Sequence, residues 1–390
     1  MHSNNNIQNH FLGNHQPPKI KVIGFGGAGC NTIQRLSRLK IPEIDLIAAN
    51  TDTLALRRCQ VNSRIQLGEE LTRGFGAGGN PEIGKQSAEE NFRELIQHIQ
   101  GTDFLFLTAG MGGGTGSGAI QIAARIARSM DIPSIGMVTL PFSFESGRRT
   151  RCAAEAVACL QPFLDTLITI PNDRLLTLCT QETHLEEALS LADDILIQGI
   201  TGISGLIRQH GRLNIDLSHL LRMMRGQGGT YIATARGHGR NKIIQAIRNA
   251  LKNPLLDGIP IEEAKGVIIK FNGRVAIGDI TNGLEFVKSL VPEGTEIITA
   301  VDDNFQASEE IKVMLLITGI GAKPLTFPTP EATSSRHLEA TSSFNKAGAQ
   351  YLTTDNPYTT ENEDLSVPAY IRKGYNLATS GIFSHATAED

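Results

Sequence analysis

Tryptophan is absent from this 390-residue chain, and aromatic residues of all kinds make up only 5%. There are five cysteines, Cys30, Cys59, Cys152, Cys159 and Cys179. They are odd in number and contain no CxxC pair, which argues against a disulfide framework or a zinc site and for reduced thiols. No uninterrupted apolar run reaches the ~18 residues of a membrane span, so direct membrane insertion is not expected. The N-terminal MHSNNNIQNHFLGNHQPP lacks a signal-peptide core, and a cytoplasmic location is expected. A formal net charge of -4 gives no electrostatic reason to expect nucleic-acid binding. The Walker pattern GxxxxGK[ST] does not occur either, which disfavours a P-loop nucleotidase.

What the chain has in quantity is glycine, 40 residues of it, clustered rather than spread. Glycine clusters mark backbone that turns sharply or approaches a ligand closely. Hydrophobic residues at 40% and charged residues at 19% are otherwise ordinary for a chain that buries a core. The length suits two or three domains.

Residues 1–18 are polar, end in Pro17-Pro18, and read as a disordered arm. From Lys19 onward short apolar runs alternate with helical patterns. Strand-like segments are Lys19–Gly24, Leu46–Ala49, Phe104–Leu107, Ile135–Leu140 and Leu167–Ile170. Helical periodicity falls at Ala88–Gln100 and Ala119–Met130. That alternation implies a parallel sheet with helices on both faces, assigned to residues 19–183. A long apolar-periodic segment follows, with the central helix placed at 184–213. It contains Gly199, Gly202 and Gly205, each costing roughly 1 kcal/mol in a helix interior, so it needs packing on both sides. Strands at Gly266–Phe271, Glu296–Val301 and Ile311–Thr318, with helices at 241–252 and 280–290, make a second α/β domain at 214–322. Residues 323–363 are rich in Thr, Ser, Pro, Ala and Asn and read as a flexible linker, with an r.m.s. span of ~35 Å. A mixed apolar and basic segment occupies 364–375, and 376–390 form a tail.

Gly24-Phe25-Gly26-Gly27-Ala28-Gly29 satisfies GxGxxG directly after a strand. Alone it fits a dinucleotide-binding turn of an oxidoreductase, or a tight strand-to-helix turn with no ligand. The second cluster, Gly110-Met111-Gly112-Gly113-Gly114-Thr115-Gly116-Ser117-Gly118, again follows a strand and opens a helix. A third, Gly74-Phe75-Gly76-Ala77-Gly78-Gly79-Asn80-Pro81, lies between them. A dehydrogenase needs one phosphate loop, and here there are two. Three such loops suggest a nucleotide wrapped by loops at the strand ends, its phosphates held by backbone N–H groups.

At these residues the chain resembles the tubulin/FtsZ family. GGGTGSGA at 112–119 resembles that family's signature. Asn50-Thr51-Asp52, GAGGNPEIG at 76–84, Pro141-Phe142-Ser143-Phe144-Glu145 and Ile170-Pro171-Asn172-Asp173-Arg174-Leu175-Leu176 are similar to the FtsZ branch. The resemblance runs from about Lys19 to Gly321. It implies an α/β fold in which a Rossmann-like GTP-binding domain is joined by a long central helix to a second α/β domain. It also implies a GTPase that polymerises into filaments, with GTP and Mg2+ as cofactors and K+ as a further candidate cation.

Carried over by position, Gly27, Ala28, Gly29, Cys30 and Asn31, with Gly114, Thr115 and Gly116, should hold phosphates through backbone amides. Glu145 and Arg149 match positions that contact the ribose and nucleotide. Asn172 and Asp193 match positions that read guanine. A carboxylate at 193 can accept from both guanine N1–H and the N2 amino group, a pairing adenine lacks. Leu189 stands where the family often has a base-stacking phenylalanine, and Ser146 where it has glycine, with Arg148 and Arg151 near enough to share the role of Arg149. In the family the loop after the long helix completes the neighbour's GTPase site with N-x-D-x-x-D. Here it reads Asn214-Ile215-Asp216-Leu217-Ser218-His219. Asn214 and Asp216 match, and His219 replaces the second aspartate. Neutral histidine offers one acceptor nitrogen where a carboxylate offers several, and protonated histidine offers none, though a histidine there could still act as a general base near pH 7; Asp216 is the residue expected to polarise the water, and either a reduced rate or a GTP-binding scaffold without turnover is compatible with the loop.

Leu365–Lys373 resembles the family's C-terminal peptide, which docks membrane anchors such as FtsA, SepF or ZipA. Val367, Pro368, Tyr370, Ile371 and Arg372 carry that resemblance. The implied setting is the division ring beneath the membrane at midcell, with the chain itself as filament partner.

Overall fold

The computed structural model describes residues 18–320, apart from 42–43, 181, 209–216, 226–228, 257–258 and 303–309. The expected linker, adaptor peptide and tail, the arm up to residue 17, and Asn214 and Asp216 lie outside the described residues.

The first part of the chain runs β1 (Ile20–Phe25), α1 (Gly26–Arg38), β2 (Ile44–Asn50), α2 (Thr53–Arg58), β3 (Ser63–Gln66), α3 (Glu69–Thr72), α4 (Pro81–Glu90) and α5 (Phe92–Ile99). It continues with β4 (Phe104–Gly110), α6 (Gly114–Ser129), β5 (Ser134–Leu140), α7 (Gly147–Leu160), β6 (Thr166–Pro171) and α8 (Asn172–Leu175). The six strands form one parallel sheet in the order β3-β2-β1-β4-β5-β6. Both faces are covered, so the strands are apolar in consecutive positions rather than in alternation. In β4, Phe104 and Phe106 pack towards α1 and the centre of the molecule, while Leu105 and Leu107 pack towards α4–α7.

The expected helix over 88–100 is two helices, broken at Asn91 (φ -93°, ψ 23°). Asn91 is used as a side-chain bridge: Oδ1 accepts from Gly68 N–H at 2.8 Å and Nδ2 donates to Glu94 at 2.9 Å. Helical periodicity persists across the break, which is why the sequence pattern alone reads as one element.

The central helix α9 covers Leu185–Arg208. By length and mean hydropathy, 1.2, its segment Leu185–Ile207 is long and apolar enough to cross a membrane. A count of uninterrupted apolar residues passes over it because Asp193, Asp194 and Gln198 interrupt the run. Ala192, Leu196, Ile200 and Ile203 are instead buried in the protein core. Its glycines have a packing reason. A Cβ at Gly199 would run into Met137 of β5, and one at Gly202 into Met314 of the second sheet. Helix α9 is thus a spacer pressed on by a sheet from each side, and glycine lets each sheet come close.

Beyond α9 come α10 (Leu217–Met224), β7 (Gly229–His238), α11 (Lys242–Leu251), β8 (Gly266–Asn272), α12 (Ile277–Lys288), β9 (Glu296–Asp302) and β10 (Glu310–Ile320). The second sheet has the order β7-β10-β8-β9, antiparallel except for β8 with β9. On β10, Met314 and Leu316 face the central core, while Val313, Leu315 and Ile317 face α11 and α12.

Candidate functional site

Strand β1 feeds α1 and then β2 on one side; its neighbour β4 feeds α6 and then β5 on the other. Their carboxyl ends are therefore the point where strand order reverses, the crevice in which open α/β sheets bind ligands. Both glycine clusters sit there. The two loops touch: a Cβ at Gly26 (φ +71°) would lie 3.0 Å from Gly116 N, and one at Gly110 would lie 2.8 Å from Ala28 Cβ. Across the same junction Thr51 and Thr115 hydroxyls are hydrogen-bonded at 2.6 Å.

The two helix starts are electrostatically alike. Phe25 before α1 and Gly113 before α6 make no side-chain cap, and neither helix has an acid in its first turn. Helix N-termini carry partial positive charge and orphan N–H donors. Two of them, uncapped and adjacent, make a site suited to an anion with several oxygens. The residues also leave room. A Cβ at Gly27 or Gly113 would meet nothing within 4 Å.

The residues expected to hold phosphates divide into two kinds. Gly27, Ala28 and Asn31 are exposed at the start of α1, whereas Gly29 and Cys30 are buried beneath them. Gly114, Thr115 and Gly116 are all buried. A Cβ at Gly114 would lie 2.8 Å from Ala77 Cβ, and one at Gly116 would lie 2.6 Å from the Gly110 carbonyl. In the second loop the open position is Gly113, which sequence reasoning did not single out. The dense run of glycines there serves close backbone packing at Gly114 and Gly116 and leaves open space at Gly113.

The remaining nucleotide candidates are arranged around this crevice. Phe142 N–H donates to Glu145 at 2.9 Å, and Glu145 pairs with Arg149 at 2.6 Å. The Arg149 backbone lies under the second loop, 2.7 Å from where a Gly112 Cβ would be. That ion pair distinguishes Arg149 from Arg148 and Arg151 on the same turn. Ser143 N–H donates to Asp173 at 2.8 Å, which ties the loop bearing Glu145 to the residue after Asn172. Asn172 is buried, and its Oδ1 has no hydrogen-bond partner among the described residues. A buried amide oxygen without a donor is costly, and a ligand N–H would satisfy it.

Asp193 lies on α9 against α1. Its carboxylate accepts from the Thr32 hydroxyl at 2.9 Å and from Arg35 at 3.4 Å, while Arg35 also reaches Asp194 at 2.5 Å. Thr32 and Arg35 are neighbours that no sequence motif marks, because nothing local signals a partner 161 positions away. Burial pushes the Asp193 carboxyl above its usual range, opposed by these two donors. Two of its acceptor positions are used and others remain. Leu189, one turn earlier, is 43% exposed.

His219 is not at this crevice. It stands in the first turn of α10, and its Nε2 is 2.5 Å from Glu296 Oε1 at the start of β9. Arg222 donates to the same oxygen at 2.8 Å. No cluster of three His, Cys, Asp or Glu able to hold a metal ion occurs among the described residues.

Fold and site together define a doubly wound α/β protein with two uncapped helix N-termini meeting at its switch point, an arrangement suited to a polyanionic ligand such as a nucleotide. Comparison with known proteins narrows the class. A family model described as "Tubulin/FtsZ family, GTPase domain" matches residues 19–180, and one described as "FtsZ family, C-terminal domain" matches residues 228–321. The solved structure of an empty FtsZ dimer from M. jannaschii is 34% identical, covers 80% of this chain and 91% of its own, and superposes with a TM-score of 0.73. CetZ1 from Haloferax volcanii, solved as a GDP-bound monomer, shares the fold at 21% identity, 78% and 96% coverage and a TM-score of 0.69. The chain belongs to the tubulin/FtsZ family. It is a tubulin-like GTPase of the cytoskeletal kind.

Proposed function

We propose that the chain assembles head to tail and hydrolyses GTP where successive subunits meet. The observation that carries the binding half is the pair of uncapped, acid-free helix N-termini meeting at the switch point. Amides from Gly27 to Asn31 and from Gly113 to Gly116 hold the phosphates. Glu145 and Arg149 meet the ribose side, and Asn172 and Asp193 read the guanine edge. Mg2+ would be held by the triphosphate rather than by dedicated side-chain ligands and would supply charge neutralisation there, with K+ as a further candidate.

The length of α9 supports a shared site. Helix α9 has 24 residues and so extends ~36 Å. Its first half packs on α1 through Asp193, and in the sequence the segment 214–219 follows its other end. His219 at the end of that segment bonds to the second sheet of its own chain. One subunit does not readily bring Asn214 and Asp216 to its own phosphates, whereas a neighbour in a filament does. Asp216, helped by Asn214, polarises a water that attacks the γ-phosphorus; the bond to the β–γ bridging oxygen breaks and GDP leaves. A GTP-binding scaffold with little turnover is the second reading, favoured by His219 standing where the family has its second loop aspartate. Attachment of the filament to the division site, on the cytoplasmic face of the membrane, is assigned to 365–373 through an anchor of the FtsA, SepF or ZipA kind.

Phosphate release and sedimentation, measured on one sample across protein concentrations, test this. Specific activity should rise steeply above the concentration at which polymer first sediments. Constant specific activity down to high dilution would refute the shared site, and polymer without phosphate release would select the scaffold reading.

A further inference from the structure

The histidine that replaces the second loop acid does not stand alone. His219 and Arg222 are one turn apart on α10 and converge on a single oxygen of Glu296, at 2.5 and 2.8 Å. The three residues come from elements 77 positions apart in sequence. An ionised carboxylate only accepts hydrogen bonds. Glu296 beside Arg222 therefore requires the His219 proton to be on Nε2. A neutral imidazole with its proton on Nε2 has its free lone pair on Nδ1. Among the described residues nothing is bonded to that nitrogen, and the His219 side chain is 39% exposed.

We propose that Glu296 is a positioning residue for GTP hydrolysis: it takes the Nε2–H of His219, fixes the ring and its tautomer, and so presents Nδ1 as the acceptor for the proton of the attacking water. This rests on the reading that 214–219 completes a neighbour's nucleotide site. In the step, the water oxygen bonds to the γ-phosphorus and the bond to the β–γ bridging oxygen breaks, its electrons leaving with GDP. One water proton passes to Nδ1 of His219 and is later lost to solvent. The imidazolium so formed carries both nitrogens protonated, and Glu296 stabilises it through the bond it already makes. A carboxylate lost from the loop is thereby replaced by a histidine backed by a carboxylate from another strand. Among the described residues, the charged groups acting on Glu296 are His219 and Arg222, from α10. The bond from His219 is the first cause, and Arg222 adds to it; together they hold the Glu296 carboxyl below its usual range.

Glu296 is partly exposed, so its substitution should leave the fold intact. The test uses the full chain over a range of GTP up to saturation, at protein concentrations where wild type and variants sediment equally. Phosphate release then gives kcat and KM separately. Glu296→Ala should lower kcat by roughly tenfold with KM unchanged, because the ring and its tautomer are no longer fixed. Glu296→Asp should recover part of the rate. In a His219→Asp background Glu296→Ala should move neither quantity. An unchanged kcat in Glu296→Ala would overturn the proposal, as would wild-type turnover in His219→Ala. Wild-type filaments that bind GTP but release no phosphate would overturn it while leaving GTP-dependent assembly standing. A chain that neither binds GTP nor sediments would remove the functional reading itself.

Discussion

Replacing Gly27 by alanine separates what the phosphate loop does for the fold from what it does for the ligand. Gly27 is the second residue of α1, is exposed, and has no atom within 4 Å of the added methyl; its φ lies outside the left-handed region. Without ligand the substitution should be neutral or stabilising by up to ~1 kcal/mol, through helix propensity and a less flexible unfolded chain. With ligand the same methyl occupies the space where a phosphate oxygen must approach an amide. Losing one hydrogen bond to a charged oxygen costs roughly 1.5–3 kcal/mol, or about 10- to 150-fold in affinity. At GTP equal to 100 times the wild-type Kd, binding stabilises the wild type by ~2.7 kcal/mol; a variant 100-fold weaker gains only ~0.4 kcal/mol. At about 2 °C per kcal/mol for a body of this size, the thermal shift on adding GTP should shrink from about 5 °C to about 1 °C. Scanning calorimetry with and without GTP, together with titration of a fluorescent GTP analogue, reads both quantities. Wild-type affinity in Gly27→Ala would show that the open space at the start of α1 is not where phosphate binds.

Gly116→Ala should behave in the opposite way, because its methyl would fall 2.6 Å from the Gly110 carbonyl; overpacking should cost about 1–3 kcal/mol in urea unfolding even without nucleotide. Asp193 is held protonated to higher pH in the folded chain than in the unfolded one, chiefly by burial. The native state then binds more protons, so stability falls as pH rises above about 4, and Asp193→Asn should flatten that fall while weakening GTP selectivity. An identical pH slope in parent and variant would dismiss the buried ionisation. Asp216→Ala should bind GTP and sediment as polymer yet release phosphate slowly, and unchanged release would remove Asp216 from the shared site. Truncation after Lys323 should leave GTP binding and assembly intact in purified protein while abolishing recruitment in cells, with Tyr370→Ala giving the same split; loss of assembly on truncation would place the tail in the filament.

The sequence by itself determined the α/β alternation, the two strand–glycine–helix junctions and the apolar, glycine-bearing central helix. Each of these is local: apolar runs of strand length, helical periodicity, and residues that permit a sharp turn are read within a few positions. It also marked Asn172, Asp193, Glu145 and Arg149 as candidates, through a resemblance carried by short contiguous motifs. Tertiary structure alone decided the rest. Asn91 ends one helix and begins another because Gly68, on a different segment, needs its side-chain oxygen. Gly114 and Gly116 are buried because other backbone packs against them, while Gly113 is left open. Asp193 is engaged by Thr32 and Arg35 from α1, and His219 by Glu296 from β9. Strand β7, with no counterpart among the expected segments, finds its place by pairing with β10 some 80 residues later. These outcomes depend on which distant surfaces come to share a core, and that is set by the burial of whole sheet faces against α9 rather than by any pattern within one segment.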